Sequence, residues 1–197
     1  FKLFLAGEEI VLSELLPVLQ QMGVQVIEER PYQITRPDGR RCWIYDFGLR
    51  MDDAAPSADP AGQDPSAAFC AAFAAAWRGD IEVDRFNALV LRAGLTWEQV
   101  ALVRAYARYL RQVGIPYGQF YLAETLISHA KVTRSLVQLF EARFDPSLGD
   151  AESDERKQLV ERRLTEVTEM IDEVTGLDAD RILRRYLNLI TSTLRTN

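Results

Sequence analysis

Apolar positions change period along this chain, and each change marks an element. Phe1, Leu3 and Leu5 share one side of an alternation with Lys2 and Phe4, the two-residue period of a strand. From Leu15 the period lengthens: Leu15, Leu16, Val18, Leu19 and Met22 form a helical stripe, with Ser13 as its expected cap and Pro17 within the first turns. Gly23 is the expected helix stop. Alternation then returns at Val24, Val26 and Glu28 and runs towards Ile34, with Pro31 marking an edge or a bulge. Arg36-Pro37-Asp38-Gly39 reads as a tight turn, and Arg41 to Arg50 as the returning strand, with Trp43, Tyr45 and Phe47 on one face. The first fifty residues therefore predict a β-α-β-β unit with one helix over one face of a small sheet.

The remainder reads as helices. Met51 to Pro65 carries Asp52, Asp53, Asp59 and Asp64 among Ala, Ser, Pro and Gly with no positive charge, and is expected to be a flexible surface loop. Ala67 to Trp77 predicts a helix burying Phe69, Phe73 and Trp77, and Asp84 caps a short helix through Phe86, Leu89 and Val90 that Gly94 closes. Leu95 to Pro146 predicts the packed centre of the fold. There Thr96 and Gln99 form a capping box ahead of Val100, Val103, Tyr106, Ala107 and Leu110, and Gly114 and Pro116 end that helix. A second helix runs from Gly118 to Ser128. A third carries Val132, Leu136, Leu139 and Phe140 and stops at Asp145-Pro146. Two last helices show 4-3 spacing: Val160, Leu164, Val167, Ile171 and Val174, ended by Gly176; then Leu183, Leu187, Ile190 and Leu194, capped by Asp178. Arg181, Arg184 and Arg185 fall outside that stripe, as solvated or ion-paired side chains.

The fold class expected is α+β, mainly α. It comprises a β-α-β-β unit at 1–50, an acidic loop at 51–65 and a helical domain at 66–197. The start without Met and the abrupt end at LRTN suggest a piece of something longer.

Composition narrows the function. A net charge of −6 argues against nucleic acid or an anionic membrane as partner, since both need a basic field. No apolar run reaches membrane-spanning length, and a cytoplasmic location is expected. Cys42 and Cys70 match neither a metal motif nor a disulfide framework, and are expected reduced and buried. His129, the only histidine, sits at a helix junction with no Cys or carboxylate at metal spacing, and no Ser, Cys or acidic partner is marked out to make it a triad base. The glycine-rich loops that cradle nucleotides, the nucleophile elbow and the zinc-protease helix are missing. Glu8-Glu9 and Glu28-Glu29 are neighbours that point apart, and make poor acid-base dyads. No catalytic, cofactor-binding or metal-ligating residue is expected in this chain.

Several stretches in order carry a resemblance: LSELLPVLQQMGVQVIEERPY, WIYDFGLR, AWRGDIEVDRFNALVLRAGLTWEQV, RAYARYLRQVGI, LFEARFDP and LDADRILRRYLNLITSTLRTN. Over nearly the whole chain they resemble the large bacterial NAD-specific glutamate dehydrogenases. That resemblance implies a very long polypeptide with ACT-like regulatory modules, helical motifs and a Rossmann-containing catalytic region, with this chain lying just upstream of catalysis. NAD would then belong to the parent enzyme, which would be a homo-oligomer, and the catalytic region of the same chain would be the partner. The family's catalytic lysines and dinucleotide glycines have no matching positions here. The front unit separately resembles an ACT module, although the usual Asp-x-Pro-Gly turn is replaced by Ala6-Gly7-Glu8-Glu9 and no fourth strand follows the Phe69 helix. ACT modules bind effectors at the strand-to-helix loop, and the resemblance therefore implies Gly7 and Glu8 as effector-binding candidates. The competing expectation is a free-standing helical protein-interaction module with a small sheet.

Overall fold

The computed structural model describes residues 1–7, 9–51, 64–151 and 153–196. Strand β1 (Lys2–Ala6) leads to helix α1 (Leu12–Gln21), then β2 (Val24–Thr35) and β3 (Arg41–Met51). The three strands form one antiparallel sheet in the order β1-β3-β2, so the middle strand is the last in sequence. The expected turn closes the β2–β3 hairpin, with the Gly39 amide donating to the Arg36 carbonyl at 2.9 Å. Pro31 lies on an edge strand as its chemistry requires, while the bulge falls earlier, at Ile27 between Val26 and Glu28.

Two corrections concern α1. Val11, not Ser13, holds the cap position and makes no side-chain capping bond. Ser13 is already the second helical residue, because Leu12 and Leu15 draw the helix back to cover the sheet. Pro17 therefore lies inside the helix, where its missing N–H leaves the Ser13 carbonyl without its ladder partner.

One face of the sheet is covered. Tyr45, Phe47 and Val24 are buried under Leu15, Val18 and Leu19 of α1. Helix α2 (Pro65–Arg78) shares that face: the Phe1 ring meets Phe69 and Phe73 edge-on, at 5.5 and 5.0 Å between centroids. Asp64 caps α2 by accepting from the Ser66 amide at 2.9 Å. Trp77 stacks on Phe73 but stays partly exposed, and Cys70 faces solvent rather than the core. Helical spacing places Cys70 beside Phe69 but off the buried face. Most of the stretch expected to be an acidic loop, 52–63, lies outside the described residues, and its ends belong to β3 and the α2 cap.

A 3₁₀ turn (Arg85–Ala88) and helix α3 (Leu89–Ala93) follow, then α4 (Trp97–Gln112), α5 (Gln119–Ser128), α6 (Ala130–Phe144), a 3₁₀ turn (Pro146–Leu148), α7 (Asp154–Asp172) and α8 (Leu177–Ser192). At Gly94 the backbone is left-handed, and an added Cβ would strike the Arg134 guanidinium, whose Nε donates to the Ala93 carbonyl at 2.5 Å. The left-handed angle favours glycine at that crossing. The capping box at α4 is complete: the Thr96 hydroxyl accepts from the Gln99 amide at 3.3 Å, and Gln99 accepts from the Thr96 amide at 2.8 Å.

The last two helices pack inside the same core. Val167 and Ile171 of α7 are fully buried, and Val160, Leu164 and Val174 pack at the margin. Helix α7 stops at Asp172 with Glu173 at its cap position, and Gly176 serves as the N-cap of α8. Asp178 is not the cap: it lies in the first turn and accepts from the Tyr117 hydroxyl at 2.8 Å. On α8 the buried residues are Ile182, Leu183, Tyr186 and Ile190, while Leu187 is half-buried and Leu194 is 95% exposed. The expected stripe is thus displaced by part of a turn, and it breaks at Thr193 because the helix has ended there.

Candidate functional site

Gly7 closes β1 with φ +105°, an angle that L side chains rarely adopt, and its amide donates to the Arg41 carbonyl at 3.0 Å. Three residues later the Ile10 amide donates to the buried Tyr45 hydroxyl at 3.1 Å. The strand-to-helix loop is therefore pinned to β3 at both ends. Glu8, the second residue implied by the ACT resemblance, lies outside the described residues. The alternation had placed Tyr45 on the covered face. Its hydroxyl contact with the loop was not legible, since it joins positions 35 residues apart.

A larger open cleft, about 710 Å³, lies where α5 meets α6 beside the end of α7. Arg85, Arg92, Lys131, Glu124 and Glu173 line it, over apolar side chains that include Ile127 and Met170. Arg85 is ion-paired with Glu124 within the cleft. His129 lines the same cleft at the helix junction, with Nδ1 2.9 Å from the Thr125 carbonyl oxygen. A carbonyl can only accept, so Nδ1 carries a proton and donates it there. The ring is thus held by backbone rather than by a hydroxyl, thiol or carboxylate. Among the described residues no cluster of three His, Cys, Asp or Glu side chains could hold a metal.

The third arrangement was missed by the sequence reading. Arg104, only 4% exposed, stands in the middle of the apolar face of α4. Its Nε and one terminal nitrogen donate to the two Asp84 oxygens at 2.8 and 2.9 Å, a bidentate pair, and the same terminal nitrogen reaches Asn87 Oδ1 at 2.5 Å. Gln119 Nε2 donates to Asp84 at 3.0 Å, and Asn87 Nδ2 to the Glu82 carbonyl at 2.9 Å. Asp84 does cap the 3₁₀ turn, through the Phe86 amide at 3.1 Å, so one carboxylate ties together that turn, α4 and α5. The available signal was the spacing itself: Arg104 sits four residues after Val100 and three before Ala107, and a cation on a buried face requires a partner. Arg156 plays a similar part at the end of α6, donating to the Ala142 carbonyl at 3.0 Å and the Gly149 carbonyl at 2.7 Å. Burial pushes the Tyr186 hydroxyl well above the ordinary tyrosine range, which keeps it a neutral donor, 3.4 Å from the Val103 carbonyl. On α8, Arg184 pairs with Asp172 and Asp180 and Arg181 with Asp178, as the ion-paired reading expected.

The three arrangements are a pinned loop, an open mixed-charge cleft and a set of buried arginine staples. No described helix is long and apolar enough to cross a membrane. Comparison with known families assigns two stretches of the chain. Residues 1–61 match the ACT3 domain of glutamate dehydrogenase, and residues 81–146 match its helical motif 3. Among curated proteins, the chain is 48% identical over 98% of its length to the NAD-specific glutamate dehydrogenase of Mycobacterium tuberculosis. It is 42% identical to that of Halomonas elongata and 40% identical to that of Pseudomonas aeruginosa, each over its full length. In all three cases it spans 12% of the relative's length. The chain belongs to the large NAD-specific glutamate dehydrogenase family, as a segment of such a polypeptide.

Proposed function

We propose that the chain is a non-catalytic regulatory and scaffolding segment of an NAD-dependent glutamate dehydrogenase. The observation that carries this is the similarity along the whole chain to enzymes about eight times longer, with an ACT-type match followed by a helical-motif match. On this reading 1–50 is the ACT-like unit, 51–65 the acidic connector and 66–197 the helical domain. Effectors act at the loop of Gly7 and Glu8. The catalytic region, elsewhere in the same polypeptide, holds NAD and converts L-glutamate, NAD and water to 2-oxoglutarate, ammonium and NADH. The parent enzyme works in the cytoplasm as a homo-oligomer.

The packing supplies a route for regulation. The sheet unit and the helices share one core, through Phe1 against Phe69 and Phe73 at one end and through α7 and α8 at the other. Coupling requires an element with two arrangements that both sites bias, and the seam of α8, with Leu187 half-buried at its margin, is where we place it. The test is steady-state kinetics of the long enzyme, with and without candidate amino acids, for wild type and Leu187→Ala. The expected result is a blunted effector response or lower turnover, with a thermal melt showing that the protein remains folded. Unchanged kinetics in a folded variant would remove the regulatory role. Micromolar binding of NAD to this chain alone, measured by calorimetry, would remove the non-catalytic one.

A further inference from the structure

The start of α6 and the end of α7 meet at the open cleft beside α5, which Lys131 and Val132 line from α6 and Met170, Glu173 and Val174 from the end of α7. A helix is positive at its N-terminal end and negative at its C-terminal end, so two poles of opposite sign face one space. Side chains usually oppose these poles. Here they reinforce them: Lys131 is the second residue of α6, whose first turn carries no acid, and Glu173 is the cap residue of α7, whose last turn carries no base. Each placement disfavours the helix that carries it. Among the described residues neither side chain is relieved by an ion pair, although both line the same cleft. Arg85 and Glu124, by contrast, answer each other there. Nor is α6 capped by a side chain: His129 holds its cap position without such a bond and satisfies none of the first-turn amides. Ile127, Met170 and Val174 supply apolar surface between the charges, and the Ser135 hydroxyl, 3.4 Å from the Met170 sulfur, ties α6 to α7.

We propose that this cleft binds a free α-amino acid with an apolar side chain. Lys131 and the start of α6 hold the carboxylate, with Arg92 adding positive charge; Glu173 and the last carbonyls of α7 hold the ammonium; and the side chain covers Ile127, Met170 and Val174. The ligand's dipole then runs against that of the cleft, and one molecule neutralises both misplaced charges at once. A plain anion would answer Lys131 but meet Glu173 and the carbonyl end of α7, and a plain cation would meet the reverse. At about 710 Å³ the cleft falls within the roughly 300–1,000 Å³ usual for small-ligand sites. Such a ligand accounts for two side chains that each break the local rule for a helix end, a departure expected where function outweighs stability. The site is separate from the Gly7 loop and stands whether or not that loop takes an effector.

Hydrogen exchange in the long enzyme tests it, because the readout is local and separates this cleft from amino acid bound elsewhere in the polypeptide. Saturating L-isoleucine or L-methionine should slow exchange at residues 128–132 and 170–175. The same carbon skeleton without its ammonium, 3-methylpentanoate, or without its carboxylate, 2-methylbutylamine, should leave both segments unchanged. Lys131→Glu and Glu173→Lys should each raise the concentration needed for protection about tenfold or more, the loss expected for one hydrogen-bonded charge. Both variants should stay folded and melt no lower than wild type, since each gives a helix end the charge it prefers. Absence of protection by either amino acid at millimolar concentration, equal protection by 3-methylpentanoate or 2-methylbutylamine, or an unchanged midpoint in both variants overturns the inference. So does strong protection of both segments before any amino acid is added and unaltered by it, which would give the cleft to another part of the polypeptide. None of these outcomes bears on the Leu187→Ala kinetics, so this site and the regulatory reading fail separately.

Discussion

The sheet unit and the helical block close themselves in different ways. In the helical block, cations buried among apolar residues are answered from inside: Arg104 by Asp84 and Asn87, Arg156 by two carbonyls. In the sheet unit only one face is closed, and the other leaves Phe4, Tyr32 and Ile34 to solvent along a strand edge. One region directs polar groups inward and the other directs apolar groups outward. The contrast separates stability from contact. Damage to the helical block should unfold the chain, and damage to the outer face of the sheet should change what it touches.

The largest effect should come from Arg104→Ala. It removes the cation but leaves Asp84 and Asn87 arranged around it, and breaking one side of a buried ion pair typically costs about 3–5 kcal/mol. Chemical denaturation should show a midpoint lowered accordingly. A loss below about 1 kcal/mol, the range of exposed pairs, would mean that water reaches Asp84 and that the staple is a surface feature.

Next comes the C-terminal seam, where the sequence reading and the structure part most clearly. Apolar spacing correctly found Leu183 and Ile190 but extended the stripe to Leu194, past the end of the helix, and gave Leu187 the place that Tyr186 takes. Periodicity reports the faces of an ideal helix; it does not report where the helix stops or which side of a stripe the neighbours cover. Local chemistry was legible at the Thr96 capping box and the turn at Gly39, whose partners lie within four residues, but not at Ser13 or Asp178, where packing starts the helix ahead of the cap signal. The Arg104 staple and the Tyr45 anchor were not, because their partners are 20 and 35 residues away and only the fold brings them together. The effector candidates came from resemblance, and of the two only Gly7 can be placed. Ile190→Ala should cost about 2–5 kcal/mol through lost burial and a cavity, whereas Leu194→Ala should stay within about 0.5 kcal/mol. Equal losses at both positions, read by thermal melting, would restore the longer stripe.

A smaller effect is expected at the start of α4. Thr96→Ala deletes one of the two reciprocal capping bonds, and substitutions of this kind cost about 1 kcal/mol. Gln99 also donates to Glu141 at 2.5 Å, tying the same turn to α6. Thr96→Ser, which keeps the oxygen, should recover most of the loss. If Thr96→Ser were as damaging as Thr96→Ala, the methyl group rather than the cap would be what α4 needs there.

The smallest effect on stability should fall on the most exposed side of the comparison. Phe4 gives up little on unfolding because most of its surface already faces water, and Phe4→Ser in the dilute chain should change stability by no more than about 0.5 kcal/mol. The same substitution leaves the β1 backbone groups in place but removes the ring that continues the row of Ile44 and Tyr32. Chemical denaturation of the dilute chain measures the change. A fall of 2 kcal/mol or so in the dilute monomer, the size expected for a buried aromatic side chain, would show that Phe4 is covered from within the chain. The outer face would then belong to the same closed core as the helices, and the distinction between the two regions would fail.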